Sequence, residues 1–322
     1  MTLETEAVLD RRRLRRRLSW WRALAVIAAV VAIGALAFSS AEKMGLLEQR
    51  QIARVSISGL ITEDREVLRM FKQLAENKSV SAVILVVNSP GGTTAGGEAL
   101  FEAIRELSKS KPVVAQFGTL ATSAAYIAGL ASDYIVARGN TITGSVGVIF
   151  QWAEFSGLLE KLGVRMNEVK SGPLKAVPSP FQPMDEAGRA ATEEMVAESF
   201  KWFVGLVRDR RNIDTKSIPG LEQGRVFSGR DALAHKLIDQ IGSEPEAIRY
   251  LEEQRSVAKG LNIVDVKPKR DSDWNFIGLT GHLLGRLTGI PGMGEAASVL
   301  TDDRLARMRL DGLLSIWHGA EK

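Results

Sequence analysis

VSAVILVVNSPGG, residues 80–92, is the stretch that decides the fold. Val80 to Val87 holds one serine among apolar, largely β-branched residues, the composition of a strand buried on both faces. Asn88-Ser89-Pro90-Gly91-Gly92 then reads as a turn, and Ala95 to Ser108 as a helix. The pattern repeats downstream. Pro112 to Phe117 is a second buried strand, Ser123 to Leu130 a short helix, and Tyr134 to Ala137 a strand. Upstream, Ile52 to Ser58 alternates with period 2 and stops at Gly59, and Glu63 to Asn77 places Val67, Leu68, Phe71 and Leu74 at helical spacing. Short strand–helix units in series imply an α/β fold with mostly parallel sheets.

The later part is more helical. Asp185 to Arg211 predicts a long amphipathic helix whose stripe (Met195, Phe200, Trp202, Phe203, Val207) belongs to a core or a subunit interface. Beyond Gly260 the pattern weakens to a strand over Ile263 to Val266, a Gly-rich stretch from Gly278 to Gly294, and a last amphipathic helix over Asp302 to Trp317.

Charge is distributed unevenly. The chain of 322 residues carries 42 Lys and Arg against 38 Asp and Glu. Seven of those basic residues and three of the acidic ones lie in residues 1–22, which leaves 35 of each in the rest and accounts for the whole net charge of +4. A nucleic-acid-binding domain needs a basic face on the folded body, and a charge-balanced body removes that reading. The absence of Cys excludes disulfides, thiolate nucleophiles and Cys-type metal sites.

The arginine run precedes Trp20, Trp21 and the uncharged stretch Ala23 to Phe38, a short single span with an interfacial aromatic belt. Basic residues before the span place the N-terminus in the cytoplasm and everything after Ser39 outside. Ala35-Leu36-Ala37 also fits a signal-peptidase site, but the paired tryptophans and the long arginine run suit a retained anchor better. Both readings export the remainder.

Chemistry candidates are few. His235, His282 and His318 do not cluster at metal-ligand spacing, and no P-loop, Gly-x-Gly-x-x-Gly or Gly-x-Ser-x-Gly pattern occurs. His235 sits in a segment, Ala232 to Ile238, that reads as an ordinary helix. The informative feature is Ser123, set among small residues where a buried strand hands over to a helix. A hydroxyl there lies beside free backbone N–H groups, which suits a nucleophile whose attack creates an oxyanion. The glycines at the end of residues 80–92 offer a second close backbone approach.

Five stretches together carry a resemblance: Asn88–Gly92, Thr122–Tyr126, Asn140–Ile149, Val169–Lys175 and Gly224–Gly242. In this order, across about residues 50–250, they resemble the signal peptide peptidase A family of Ser–Lys membrane peptidases, which share the ClpP/crotonase-type fold. The resemblance implies Ser123 as nucleophile, Lys175 as general base, Ser145 as the serine that hydrogen-bonds that lysine, and the N–H groups of Gly92 and Ala124 as the oxyanion hole. Where members often have Ser-Gly-Gly-Tyr, this chain has Ser123-Ala124-Ala125-Tyr126, so two methyl groups are expected to narrow the neighbouring pocket. A lysine serves as a base only when neutral, a state that burial away from acids favours. In the five residues on either side of Lys175 the only charge is Lys170.

The resemblance further implies no cofactor and no metal, peptide substrates such as signal-peptide remnants, and a ring- or dome-shaped homo-oligomer, while the charge distribution gives no expectation of a nucleic-acid partner. The expected division is a basic cytoplasmic segment (1–19), a transmembrane anchor in the lipid bilayer (20–40), a linker (41–51), a Ser–Lys peptidase domain (52–258) and a C-terminal extension (259–322). The anchor would sit in a bacterial cytoplasmic membrane with the peptidase domain outside. Acyl-CoA chemistry on the same fold gives no reason for export. A non-catalytic membrane scaffold, or a peptidase that processes stomatin-type membrane proteins, would keep the same fold.

Overall fold

The computed structural model describes residues 20–34, 50–269 and the backbone of 314–316. Two units are distinguished, residues up to Arg50 and residues from Gln51 onward. In the first, residues 20–34 form helix α1, with Trp20 and Trp21 exposed. No helix among the described residues is long and apolar enough to cross a membrane. Residues 35–40, which complete the expected span, lie outside the described residues, as do 1–19, most of the linker and Gly278–Gly294.

The second unit is a mixed α/β body on one mostly parallel sheet. Its described strands are β1 (Gln51–Ile61), β2 (Val80–Thr93), β3 (Val113–Thr122), β4 (Tyr134–Ala137), β5 (Ile142–Gly144), β6 (Val226–Ser228), β7 (Gln240–Ile241), β8 (Asn262–Val266) and β9 (Leu314–Ile316). The order β6-β5-β3-β2-β1-β8 is parallel except where β6 runs against β5, and β4 lies between β3 and β7. The described helices are α2 (Arg65–Glu76), α3 (Thr94–Ser108), α4 (Ala124–Leu130), α5 (Ser156–Lys161), α6 (Glu186–Arg211), α7 (Gly229–Ala234) and α8 (Glu244–Gln254).

Burial on both faces explains the near-continuous apolar strands. Val83, Leu85 and Val87 of β2 face the larger core under α2, α3, α4 and α6, while Ala82 and Ile84 face a second core beneath Ala247, Tyr250 and Leu251 of α8. Strand alternation splits one run between two layers.

Two strands are longer than expected. β2 continues through the residues read as a turn, because Gly91 and Gly92 pair with Leu60 and Ile61 of β1. Pro90, which cannot donate to a ladder, falls beside the register shift between Val87 and Ser89. β3 continues past Phe117 to Thr122, pairing first with β4 and then, over Leu120 to Thr122, with β5. β1 likewise passes Gly59 (φ 70°) through a register shift.

One element is corrected. Leu314–Ile316, expected within a helix over 302–317, forms a strand antiparallel to β2, with Ser315 opposite Gly92. Beyond Ser89, where its pairing with β3 ends, β2 supplies these residues with ladder partners, so their hydrogen bonds run between strands rather than along a helix. The rest of 302–317 lies outside the described residues.

α4 is positioned by close packing on β3. A Cβ added at Gly129 would lie 2.4 Å from Cζ of the buried Phe117 ring. Gly129→Ala is therefore expected to push α4 from β3 and destabilise the domain by about 1–3 kcal/mol. The thermal midpoint checks this, and a value at or above the parent's would contradict the packing.

Candidate active site

The site grows from the junction of β3 and α4. Ser123 is the N-cap of α4, 1% exposed, with φ 59° and ψ −122°. An L-residue in that region costs about 1–3 kcal/mol and persists only where its surroundings over-determine it. The bonds that do so are local. Ser123 N–H donates to Gly144 O (2.9 Å), continuing the β3–β5 ladder one residue beyond Thr122, and Ile127 N–H donates to Ser123 O (3.0 Å). Thr122 Oγ1 donates to Pro90 O (3.1 Å), and Asn88 Oδ1 accepts from Leu120 N–H (3.1 Å), tying β3 to the glycine-bearing end of β2. Every residue of α4 is buried. Tyr126 anchors it through a hydroxyl bond to Leu237 O (2.8 Å), and burial pushes that phenol well above the usual tyrosine range.

Gly92 lies across from this junction, at the end of β2. A Cβ there would fall 1.8 Å from Ile61 O, so the β1–β2 approach demands glycine. Ala124 begins α4 and is fully buried. Its methyl faces α3, where a Cβ built on Gly97 would meet it at 3.2 Å, and Ala125 is also in the core. The Ala124 methyl thus packs against α3.

Ser145 follows Gly144, both with positive φ (53° and 84°), and its N–H donates to Arg225 O (2.9 Å). Because Thr122 pairs with Gly144, the ladder brings Ser123 and Ser145 to the same strand ends. Ser145 also lines a cleft of about 700 Å³ whose walls include Val148, Trp152, Met184, Val196 and Phe200. The cleft is largely apolar, with Arg189 and Glu193 of α6 also in its lining.

Lys175 belongs to the segment between α5 and α6. It sits in an exposed turn where its N–H donates to Gly172 O (3.1 Å). That turn belongs to an arm closed at its base by Phe155 N–H to Pro180 O (2.7 Å). The arm exposes Phe155, Leu158, Leu162, Val169 and Leu174. The neighbouring Lys170 is paired with Glu168 at 2.6 Å. A further lysine that the sequence reading passed over, Lys111, is 9% exposed, and burial lowers its pKa. Its Nζ donates to Val80 O (2.8 Å) and Asn77 O at the start of β2, the opposite end of the sheet from Ser123.

His235 is the C-cap of α7, 3.4 Å from Asp231 and edge-on to Phe227, as a structural histidine would be. No group of three or more His, Cys, Asp or Glu among the described residues could hold a metal ion.

A mixed α/β body whose parallel strands end at a shared edge is a common scaffold of α/β enzymes. Among these the chain is a serine peptidase, and it belongs to Peptidase family S49, which matches residues 105–258. It is 35% identical over 219 residues to "Putative protease MJ0651" of Methanocaldococcus jannaschii, covering 68% of this chain and 70% of that protein. It is 34% identical over 225 residues to "Putative signal peptide peptidase SppA" of Enterococcus faecium, covering 65% of this chain and 64% of that protein. "Serine protease SPPA, chloroplastic" of Arabidopsis thaliana is 27% identical over 269 residues, 80% of this chain but 38% of that protein.

The backbone at Ser123 can be probed without reference to its chemistry. Ser123→Gly and Ser123→Ala both remove the hydroxyl, but only glycine adopts the observed φ and ψ freely. Ser123→Gly is expected to be the more stable of the two by roughly 1–2 kcal/mol in denaturant unfolding. Equal stabilities would contradict the strain.

Proposed function

We propose that the chain is a membrane-anchored Ser–Lys endopeptidase in which Ser123 is the nucleophile. The observation that carries the reading is the conformation of Ser123, which holds a buried hydroxyl at the head of α4 at a steric cost that packing alone would not select. Ser123 Oγ attacks the scissile carbonyl carbon and yields its proton to Lys175 Nζ, which Ser145 orients. The N–H groups of Gly92 and Ala124 donate to the developing oxyanion. Collapse passes the proton from Lys175 to the leaving amine, and water then attacks the acyl-enzyme with Lys175 again as base.

An exposed lysine is a poor base, because water stabilises its ammonium form. In a single chain Lys175 is exposed beside an apolar arm. Association of several copies through that arm would exclude water from Lys175 and favour the neutral amine, so the active form is a homo-oligomer. Lys170, already paired with Glu168, is poorly suited to the same role.

The apolar cleft beside Ser145 suits hydrophobic side chains of an extended peptide. Backbone pairing of Leu314–Ile316 with Gly91–Thr93 supports the same mode, since the end of β2 beyond its pairing with β3 takes an extended segment antiparallel to itself. Remnant signal peptides and other short hydrophobic segments fit such a site. Residues 20–40 would anchor the enzyme in a bacterial cytoplasmic membrane, with residues 52–258 acting outside and 259–322 as an extension.

With a chromogenic peptide ester, Ser123→Ala and Lys175→Ala are each expected to lower kcat/KM about a thousandfold or more, and His235→Ala to leave it within a few fold. Activity that survives Lys175→Ala and is lost in His235→Ala would replace the dyad with a histidine mechanism.

A further inference from the structure

The base of α4 carries polar contacts that chemistry at its head does not use. Helix α4 ends at Leu130, and the carbonyls of Leu130, Ala131 and Ser132 leave it in a region with little room for water, since Leu130, Ala131 and Ser132 are all buried. Two guanidinium groups take these carbonyls. Arg105 Nη1 of α3 donates to Ala131 O (3.0 Å). Arg210, near the end of α6, donates from Nε to Leu130 O and from Nη2 to Ser132 O, both at 2.8 Å. Asp133 lies 3.8 Å from Arg105 and 3.4 Å from Arg255 and balances part of the charge. Val207 and Phe203, one and two turns before Arg210, are fully buried, so the guanidinium is mounted on a rigid support.

We propose that Arg210, assisted by Arg105, is a positioning residue for Ser123: its fork grips the base of α4 so that the strained serine at the head keeps its orientation. The proposal rests on the reading of Ser123 as nucleophile. Seven residues span about 10 Å, two helical turns, so a slide or rotation at the base reaches the head almost undiminished. Ser123 also has an ordinary backbone region to fall back to once the helix is free to turn. A misplacement of about 1 Å can slow an oriented reaction about a hundredfold. Arginine suits the position because its planar fork spans two carbonyls two residues apart, whereas a lysine ammonium supplies a single point of donation. Through α6, the helix that walls the cleft with Val196 and Phe200 is the same one that holds α4.

The test uses the full chain and a serine-directed fluorophosphonate, whose rate of covalent capture reads the orientation of the nucleophile. It is combined with thermal midpoints and with kcat and KM on a peptide ester. Well below its midpoint, Arg210→Ala is expected to slow capture and lower kcat about 10- to 100-fold per folded molecule, with KM within about twofold. Arg210→Lys should fall between Arg210→Ala and the parent. A lowered midpoint with the parent's capture rate per folded molecule would mean a purely structural role and overturn the proposal. Should Arg210→Ala fail to fold, Arg210→Lys and Arg105→Gln carry the same comparison. Ser123→Ala separates the two claims. If it is inert while the arginine variants react like the parent, only the positioning role falls, whereas capture by Ser123→Ala would remove the nucleophile reading itself.

Discussion

Ser123 is held at φ 59°, ψ −122° against the steric preference of its own Cβ, and the surrounding architecture is arranged around that constraint. The strain of about 1–3 kcal/mol is small beside the burial of α4, in which Tyr126, Ile127 and Leu130 alone are each worth about 1.5–3 kcal/mol. Because α4 is buried on every side, the chain cannot relieve Ser123 without lifting that helix from Phe117 and from α3. Close approaches at Gly97, Gly129 and Gly92 limit the movement that packing allows. The serine is thereby fixed between the end of β2 and the end of β5, with Gly92 on one side and Ser145 on the other.

Electrostatics divides the labour differently. The net +4 lies in residues 1–22, and the remaining residues are charge-balanced, so the basic excess does not form a face on the folded body. Within the body, the buried lysine Lys111 serves the far end of the sheet by capping carbonyls, while Lys175 lies exposed on an apolar arm. The same arm exposes Phe155, Leu158, Leu162 and Val169, an apolar surface of the kind found at interaction sites.

Much of the α/β architecture was legible in the sequence. Tyr134 to Ala137 is a strand as expected, and Asp185 to Arg211 is α6 with Asp185 as its cap. The expected helix at Ser123 begins one residue later because Ser123 itself is the cap. The extent of β2 and β3 was not legible, since Asn-Ser-Pro-Gly-Gly is a turn by local preference, and only pairing with Ile61 makes it strand. The strand at 314–316 depends likewise on a distant edge that no local pattern encodes. For the site, the cue at Ser123 was its setting of small residues, but the positive φ is a tertiary imposition. Arg105 and Arg210 gave no signal at all, because a cation near a helix end normally answers its own helix rather than the carbonyls of another.

The central claim is that the strained serine is the group that reacts. It is tested most directly by treating the intact protein with a fluorophosphonate and mapping the adduct by peptide mass spectrometry. A single stoichiometric phosphonyl group on Ser123, absent from heat-unfolded protein, is the expected result. Modification at Ser145 or another residue with Ser123 unlabelled, or equal labelling of folded and unfolded chains, would contradict it.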